Sequence, residues 1–184
     1  MAAREAKNAK HIVFLVVIVL LVSLFVVGYI IKDRRGERKI ITNGDRAPEF
    51  SLPAPDGHVV NLSDFRGKVV MVHFWATWCP PCVDELPTLA MLNQEFTNRD
   101  FVMLAVSVDE GGATAVTSFL QRNGLNVPVL LDPDRATAGR YGTFKFPETY
   151  VVNREGIVKY KVIGPRDWRD PAAIQALRDL IEAR

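Results

Sequence analysis

Cys79 and Cys82 are the only cysteines in this 184-residue chain, and just two prolines separate them. They follow an apolar run, residues 69–76, where a strand-like pattern changes into a helical one. Two thiols at this spacing can close a small disulfide ring. A sulfur at a helix N-terminus also ionises more easily than a free thiol, because unpaired N–H groups and the helix dipole favour anions. Since the thiolate is the nucleophile in thiol–disulfide exchange, the pattern predicts a redox-active pair.

Two other uses of this cysteine pair fit less well. A structural disulfide more often joins distant segments, because closing a long loop stabilises a fold more. A zinc site needs four ligands, and only His11, His58 and His73 remain to complete one. We therefore expect redox chemistry with no metal and no organic cofactor.

An unbroken apolar segment of 20 residues runs from Ile12 to Ile31. As a helix it is long enough to span a hydrocarbon core of about 30 Å. A cleaved secretory signal usually has a shorter apolar region followed by small residues, and the end of this segment, residues 26–31, offers no such cleavage site. We predict a transmembrane anchor at 12–31, between a cytoplasmic tail at 1–11 and a basic linker at 32–44.

The charges that flank the anchor do not by themselves predict its orientation. Three Lys/Arg residues precede it and five follow it within residues 32–39, so the positive-inside rule alone would keep the C-terminal part in the cytoplasm. A long translocated domain can override that bias, and the redox chemistry favours an oxidising compartment. We predict an inner-membrane protein of a bacterium, with residues 45–184 on the periplasmic side.

The charge of the remaining chain excludes one class of partner. Residues 40–184 contain 15 Lys/Arg against 18 Asp/Glu, a net charge of −3, with no basic stripe that could follow a phosphate backbone. Nucleic-acid binding is therefore not expected. These 145 residues suffice for one ordinary domain with its own core.

Strand-like and helix-like patterns alternate along this domain. Turn sequences join a leading hairpin at 50–52 and 59–62 and a later hairpin around residues 153–156. The predicted strands are 69–76, 101–108, 127–131, 149–152 and 157–163, and the predicted helices are 79–96, 113–123, 135–141 and 170–182. Strands separated by helices indicate an α/β sheet with helices on both faces.

The run from Trp78 to Cys82, together with Pro147 before the predicted strand 149–152, resembles the thioredoxin fold. The anchor, the leading hairpin, the additional αβ unit at 113–131 and the tract Cys82–Pro87 narrow the likeness to the membrane-anchored thiol–disulfide oxidoreductases of the TlpA/ResA/CcmG (DsbE) group. The tract from Pro147 to Val152 is most similar to the CcmG branch. The resemblance implies a thioredoxin-like α/β fold over residues 45–184, with a central mixed sheet, an N-terminal hairpin and an extra αβ insert.

This resemblance also implies roles for the residues of the motif. Cys79 would be the nucleophile that attacks a partner's disulfide, and Cys82 the resolving thiol that releases the reduced partner. Pro80 and Pro81 would stiffen the ring and influence its redox potential. Pro147 would be a cis proline that faces the disulfide and exposes backbone for a substrate chain, although a trans proline at a strand edge fits the sequence equally well.

Two acidic residues could tune the thiols. Glu85 lies one helical turn after Cys82, so its side chain can reach back towards the sulfurs. In similar proteins an acidic group here is thought to tune the thiols or to exchange protons with them, and the alternative is a solvated carboxylate beside Asp84. Glu148, next to Pro147, is a second candidate for the same role.

His73 stands six residues before the first cysteine, where thioredoxin has a buried aspartate. We favour a core histidine that is satisfied by a hydrogen bond, and the alternative is a proton carrier for Cys82. We expect Trp78 to flank the cysteines at the surface and Trp75 to pack inside. The acidic tract 109–112 has too few ligands for a calcium site, which favours a strand-to-helix loop.

The combined prediction is an anchored, extracytoplasmic disulfide reductase of the thioredoxin-like class. By resemblance it would reduce the cysteines of apocytochrome c before haem attachment and would be re-reduced by a membrane electron donor. Two alternatives stay open: an oxidase or isomerase of exported proteins, and a copper-site thiol reductase or metal-handling module. The residues alone leave the direction of electron flow open, because thiol pairs on this fold range from about −120 to about −270 mV.

Overall fold

The computed structural model describes residues 16–28, 39–97 and 99–183, and it divides the chain into two units, Met1–Arg38 and Lys39–Arg184. In the first unit, residues 16–28 form helix α1. None of the helices in the described ranges is both long and apolar enough to cross a membrane. The predicted anchor at 12–31 lies partly outside those ranges. The predicted tail at 1–11 and residues 32–38 of the predicted linker lie wholly outside them.

The second unit is built on a five-stranded mixed sheet. A short antiparallel hairpin, β1 (Ser51–Pro53) and β2 (Val59–Asn61), precedes it. The sheet strands are β3 (Val69–Trp75), β4 (Phe101–Ser107), β5 (Val129–Leu131), β6 (Glu148–Val152) and β7 (Val158–Ile163). Their order is β5-β4-β3-β6-β7, with β3, β4 and β5 parallel and β6 antiparallel to both of its neighbours. Every residue of the central strand β3 is buried, as its apolar composition predicts.

Helices cover both faces of this sheet, as predicted. They are α2 (Pro80–Glu95), α3 (Gly112–Arg122), α4 (Ala136–Tyr141) and α5 (Pro171–Glu182). The crossovers β3-α2-β4 and β4-α3-β5 step across the sheet in the same direction, so right-handed connections place α2 and α3 on one face. On that face Trp75 contacts Phe119 of α3, with ring centroids 6.0 Å apart. On the opposite face Phe74 contacts Tyr141 of α4 at 5.2 Å.

The segment before the hairpin also belongs to the folded unit, which begins at Lys39. The Gly44 N–H donates to the Val158 carbonyl at 2.8 Å, and the Val158 N–H donates to the Asp45 carbonyl at 2.8 Å. The end of the predicted linker, residues 39–44, is therefore part of the domain. All predicted helices and sheet strands begin and end within two residues of their predicted bounds.

Candidate active site

Cys79 and Cys82 form a disulfide at the N-terminal end of α2, with their Cα atoms 5.3 Å apart. Cys79 caps the helix, and its carbonyl oxygen accepts the N–H groups of Cys82 at 3.0 Å and Val83 at 3.1 Å. Cys79 keeps 6% of its surface exposed and Cys82 none. Of the two cysteines, only Cys79 has surface that solvent or a partner can reach, and the roles predicted for the pair stay a prediction.

Pro80 and Pro81 occupy the first two positions of α2. A helix normally presents four unpaired N–H groups at its N-terminus, and these attract anions. Here the two prolines have no N–H, the N–H of Cys82 donates to the Cys79 carbonyl, and the N–H of Cys79 donates to the Ala76 carbonyl at 3.3 Å. The bond from the Val83 N–H is the ordinary first bond of the helix. The helix start therefore offers a Cys79 thiolate less stabilisation than the position alone predicts.

Asp109 holds the loop that leads into the cysteines. It is buried, and its carboxylate accepts the backbone N–H of Thr77 at 3.0 Å and the Thr77 hydroxyl at 2.5 Å. Ser107, the last residue of β4, donates its hydroxyl to the same carboxylate at 2.7 Å. The tract 109–112 is a strand-to-helix loop, as predicted, but its anchoring role was missed. The available signal was an acidic residue directly after a parallel strand, where such folds place their sites.

The surface around the disulfide carries an aromatic pair and a cation. Trp78 is 54% exposed, as predicted, and packs edge-on against Phe146 with ring centroids 6.2 Å apart. The Arg135 guanidinium lies 5.5 Å from the centre of the Trp78 ring. Arg135 has a φ of 58°, the left-handed region that non-glycine residues seldom adopt. The sequence did not predict a role for Arg135 at the site. Its backbone is in the left-handed region while its side chain lies over the Trp78 ring.

The peptide bond between Phe146 and Pro147 is cis, as the resemblance predicts. The contact between Phe146 and Trp78 brings this loop to the cysteines. The Pro147 carbonyl accepts the N–H of Gly164 at 2.9 Å, whereas the backbone N–H and C=O of Phe146 make no hydrogen bond with another residue in the described ranges. These two groups can pair with an extended chain laid beside the loop.

Glu85 is buried, with 3% of its surface exposed, so the interpretation as a solvated carboxylate is wrong. The indole N–H of Trp168 donates to its Oε1, while Oε2 has no hydrogen-bond partner in the described part of the chain. Burial raises the pKa of Glu85 to about 7, although the Trp168 indole N–H and the Arg166 backbone N–H both act to lower it. A carboxyl group with that pKa exchanges protons at neutral pH. Trp168 itself was not predicted.

Glu148 is fully buried on the opposite face of the sheet from α2. It is the register partner of Phe74, whose ring faces α4. Its carboxylate forms an ion pair with Lys161 at 2.8 Å and accepts the Tyr150 hydroxyl at 2.7 Å. Lys161 also donates to the carbonyl of Ile41 at 3.0 Å. The structure thus ties Glu148 to the N-terminal segment and does not bring it to the face that holds Glu85.

His73 is fully buried on the face covered by α2, two residues before Trp75. Its Nδ1 is 2.9 Å from the hydroxyl oxygen of Thr149. Burial lowers the pKa of His73 to about 3, so the ring is neutral at physiological pH. This geometry confirms the core histidine, but its hydrogen bonding is satisfied only at Nδ1, because Nε2 is buried with no partner among the described residues.

Comparison with known proteins relates this arrangement to a family. The AhpC/TSA family model matches residues 43–161, a range that contains both cysteines and Pro147. The chain is 37% identical over 147 residues to the thiol-disulfide oxidoreductase ResA of Bacillus subtilis strain 168, covering 79% of this chain and 82% of ResA. The solved structure of a candidate thiol:disulfide interchange protein DsbE from Chlorobium tepidum is 33% identical, with a TM-score of 0.65 over 77% of this chain and 96% of that one. StoA from Bacillus subtilis, 22% identical with a TM-score of 0.61, covers 74% of this chain and 98% of its own and shares the fold.

We predict that Lys161→Met strongly destabilises the protein. The substitution leaves the Glu148 carboxylate buried without its cation, which costs about 3–5 kcal/mol in the free energy of unfolding. Urea denaturation of the full-length protein at pH 7 measures it. In the matched double variant, Glu148→Gln with Lys161→Met, no charge is buried and most of the loss should be recovered. A single variant within about 1 kcal/mol of the wild type would contradict the pairing.

We predict that His73→Asn removes part of the acid sensitivity of folding. Between pH 6.5 and pH 3 the unfolded chain protonates this histidine and the folded chain does not, so stability falls as the pH falls. The loss reaches about 1.4 kcal/mol per pH unit for one such group. Urea denaturation at several pH values should therefore show a shallower loss in the variant, with the exposed His58→Asn as control. A displaced pH profile of disulfide exchange near neutral pH in His73→Asn would instead support the proton-carrier alternative.

Proposed function

Since the chain belongs to the AhpC/TSA family and is a thioredoxin-like thiol–disulfide oxidoreductase that acts on protein disulfides, we propose that it works as a reductase outside the cytoplasm. We further propose that its substrate is apocytochrome c or a protein of its maturation. In this proposal residues 12–31 anchor the chain in the bacterial inner membrane, with the catalytic domain on the periplasmic side. A membrane electron donor restores the dithiol after each turnover.

The observation that carries the direction of electron flow is the start of α2. Strong stabilisation of the nucleophilic thiolate favours the reduced form of a thiol pair and makes it an oxidant. In this chain Pro80 and Pro81 remove two of the N–H groups that would supply such stabilisation, and the N–H groups of Cys82 and Cys79 already donate to the carbonyls of Cys79 and Ala76. The disulfide form is then favoured, so the reduced protein tends to give its electrons away.

The reaction proceeds in two exchange steps. The Cys79 thiolate attacks one sulfur of the partner's disulfide, the partner's other sulfur leaves as a thiolate, and a mixed disulfide forms. Cys82 then gives its proton to the Glu85 carboxylate and attacks the Sγ of Cys79. The bond between Cys79 and the partner breaks, the Cys79–Cys82 disulfide forms, and the partner leaves with two electrons as a dithiol once its sulfurs take up protons.

The surface beside the disulfide suits an extended protein segment. The unpaired backbone groups of Phe146 offer one N–H donor and one C=O acceptor, as in recognition by strand addition. Trp78 and Phe146 add an aromatic surface next to Cys79. A flexible, not yet folded chain with a disulfide between nearby cysteines fits this surface, and apocytochrome c before haem attachment is such a chain. The likeness to ResA and to a DsbE-type protein supports this choice.

We expect the Cys79–Cys82 couple to lie near the reducing end of the fold's range, about −270 mV rather than about −120 mV. Equilibration of the full-length protein with defined thiol buffers measures the potential. Pro80→Ala restores one N–H at the helix start and should make the potential less negative. The matched control, Pro87→Ala, changes a proline in the middle of the same helix and should leave it unchanged. A wild-type potential at the oxidising end would contradict the reductase and favour the oxidase.

We expect Cys82→Ala to trap the natural partner on Cys79. Without the resolving thiol the mixed disulfide persists, so a partner from the cell envelope stays attached and can be identified by mass spectrometry after non-reducing separation. The control variant lacks both cysteines and should trap nothing. The expected partners are apocytochrome c or its maturation proteins. Trapping of unrelated exported proteins alone would contradict the proposed substrate and leave the exchange chemistry intact.

A further inference from the structure

Trp168 connects the C-terminal part of the fold to the active-site helix. It lies in the loop between β7 and α5 and is only 3% exposed. Its indole N–H donates to Glu85 Oε1, and its backbone N–H donates to the Thr88 hydroxyl at 3.3 Å. That hydroxyl in turn donates to the backbone carbonyl of Glu85 at 2.9 Å. One residue thus holds both the side chain of Glu85 and the helical turn that carries it.

We propose that Trp168 is a positioning residue for the exchange reaction, which holds the Glu85 carboxyl in place to take the proton of Cys82. This inference rests on the proposed function, since it assigns the geometry on which the resolving step depends. An indole N–H is a donor and never an acceptor, so it favours the carboxylate, which is the form that can accept a proton. With Oε1 engaged, Oε2 has no hydrogen-bond partner among the described residues, and Glu85 itself lies one helical turn from Cys82.

Without the contact to the Trp168 indole, the Glu85 side chain could adopt other orientations. A cavity of about 290 Å³ opens beside Glu85, and the groups that line it include two arginines. Of these arginines, Arg169 pairs with Asp167 of the same cavity at 2.8 Å, and Arg166 pairs with Asp170, which does not line it, at 3.1 Å. Asp84 is exposed on the neighbouring position of α2. A carboxyl released from the indole could turn into this cavity, towards solvent and the arginines, and away from the sulfurs.

The protonation of Glu85 responds to the same contact. Burial raises its pKa to about 7, and the Trp168 N–H is the largest of the influences that lower it. While the carboxyl keeps its buried place, as expected when an aromatic ring is retained at position 168, removal of that N–H raises the pKa of Glu85 further, so the proton-accepting carboxylate is populated only at higher pH. For the loss of a hydrogen bond to a charged group we expect a shift of about one to two pH units.

The test isolates the resolving step with Ellman's reagent, an aromatic disulfide. The reduced full-length protein first forms a mixed disulfide between Cys79 and one thionitrobenzoate, which releases the other. Cys82 then gives up its proton, attacks the Sγ of Cys79 and releases the second thionitrobenzoate as the Cys79–Cys82 disulfide closes. The rate of this second release between pH 5 and pH 9 reports on the proton transfer from Cys82.

We expect Trp168→Phe, which keeps the ring and removes the N–H, to move the midpoint of this pH profile upwards by about one pH unit. In a Glu85→Gln background the same substitution should produce no such shift, because the two residues act as a pair. The matched control is Trp75→Phe, since the Trp75 indole N–H is also buried but has no partner in the described residues. An unchanged midpoint in Trp168→Phe, or an equal shift in the Glu85→Gln background, would overturn the proposal.

A second measurement needs no variant of Trp168. The indole N–H resonance of Trp168 in the oxidised wild-type protein should titrate with a midpoint near 7, following the Glu85 carboxyl, and should not titrate in Glu85→Gln. A resonance that is constant from pH 5 to pH 9 would refute the contact. Both readouts use only the protein and a small reagent. Failure of the reductase proposal, seen in the redox potential or in the trapped partners, is thus distinguishable from failure of this one.

Discussion

The feature on which the rest of the site depends is the turn by which the chain leaves the central strand and enters α2. The Trp75 carbonyl, at the end of β3, still accepts the N–H of Val108 at 3.0 Å. Thr77, two residues after Trp75, donates its backbone N–H to the Asp109 carboxylate. Cys79 then caps the start of α2. The neighbouring strand β4 and the loop after it therefore hold this turn by hydrogen bonds, and the disulfide lies where the central strand ends.

Two buried carboxylates, those of Glu85 and Glu148, lie on opposite faces of the sheet and are stabilised in different ways. Glu148 faces a cation, Lys161, and accepts a hydroxyl as well, so it serves as one end of a fixed ion pair that reaches the N-terminal segment. Glu85 receives neutral N–H donors only, and burial brings its pKa to about 7. A full positive charge compensates a buried anion far better than a neutral donor does. By sequence both are similar acidic neighbours of the site, but in the structure only Glu148 has a cation as its partner, and the pKa of Glu85 lies near neutral pH.

Features set by local sequence could be predicted, whereas contacts between residues distant in sequence could not. Strands, helices and the cysteine pair are local patterns, so their bounds could be predicted to within two residues, and the resemblance supplied the cis bond at Pro147. The partners of the site residues are distant in sequence: Trp168 is 83 residues from Glu85, and Asp109 is 32 residues from Thr77. No periodicity links such pairs, because tertiary packing decides which buried polar group meets which donor. The burial of Glu85 therefore could not be predicted from the sequence, because it depends on the contact with Trp168 in the folded domain.

On the proposed function, the two prolines of the motif and the buried glutamate together place the control of the reaction at the second cysteine. At an ordinary helix start, free N–H groups would stabilise the Cys79 thiolate and make the first attack the regulated event. Here those groups are absent or already engaged, so the helix start gives the Cys79 thiolate little stabilisation relative to the thiol. The group that responds to pH is instead Glu85, one turn beyond Cys82. On the proposed function, proton transfer from the resolving thiol then decides how fast a bound partner is released. A reductase gains from this arrangement, because a mixed disulfide that resolves promptly frees the partner before it can be reoxidised.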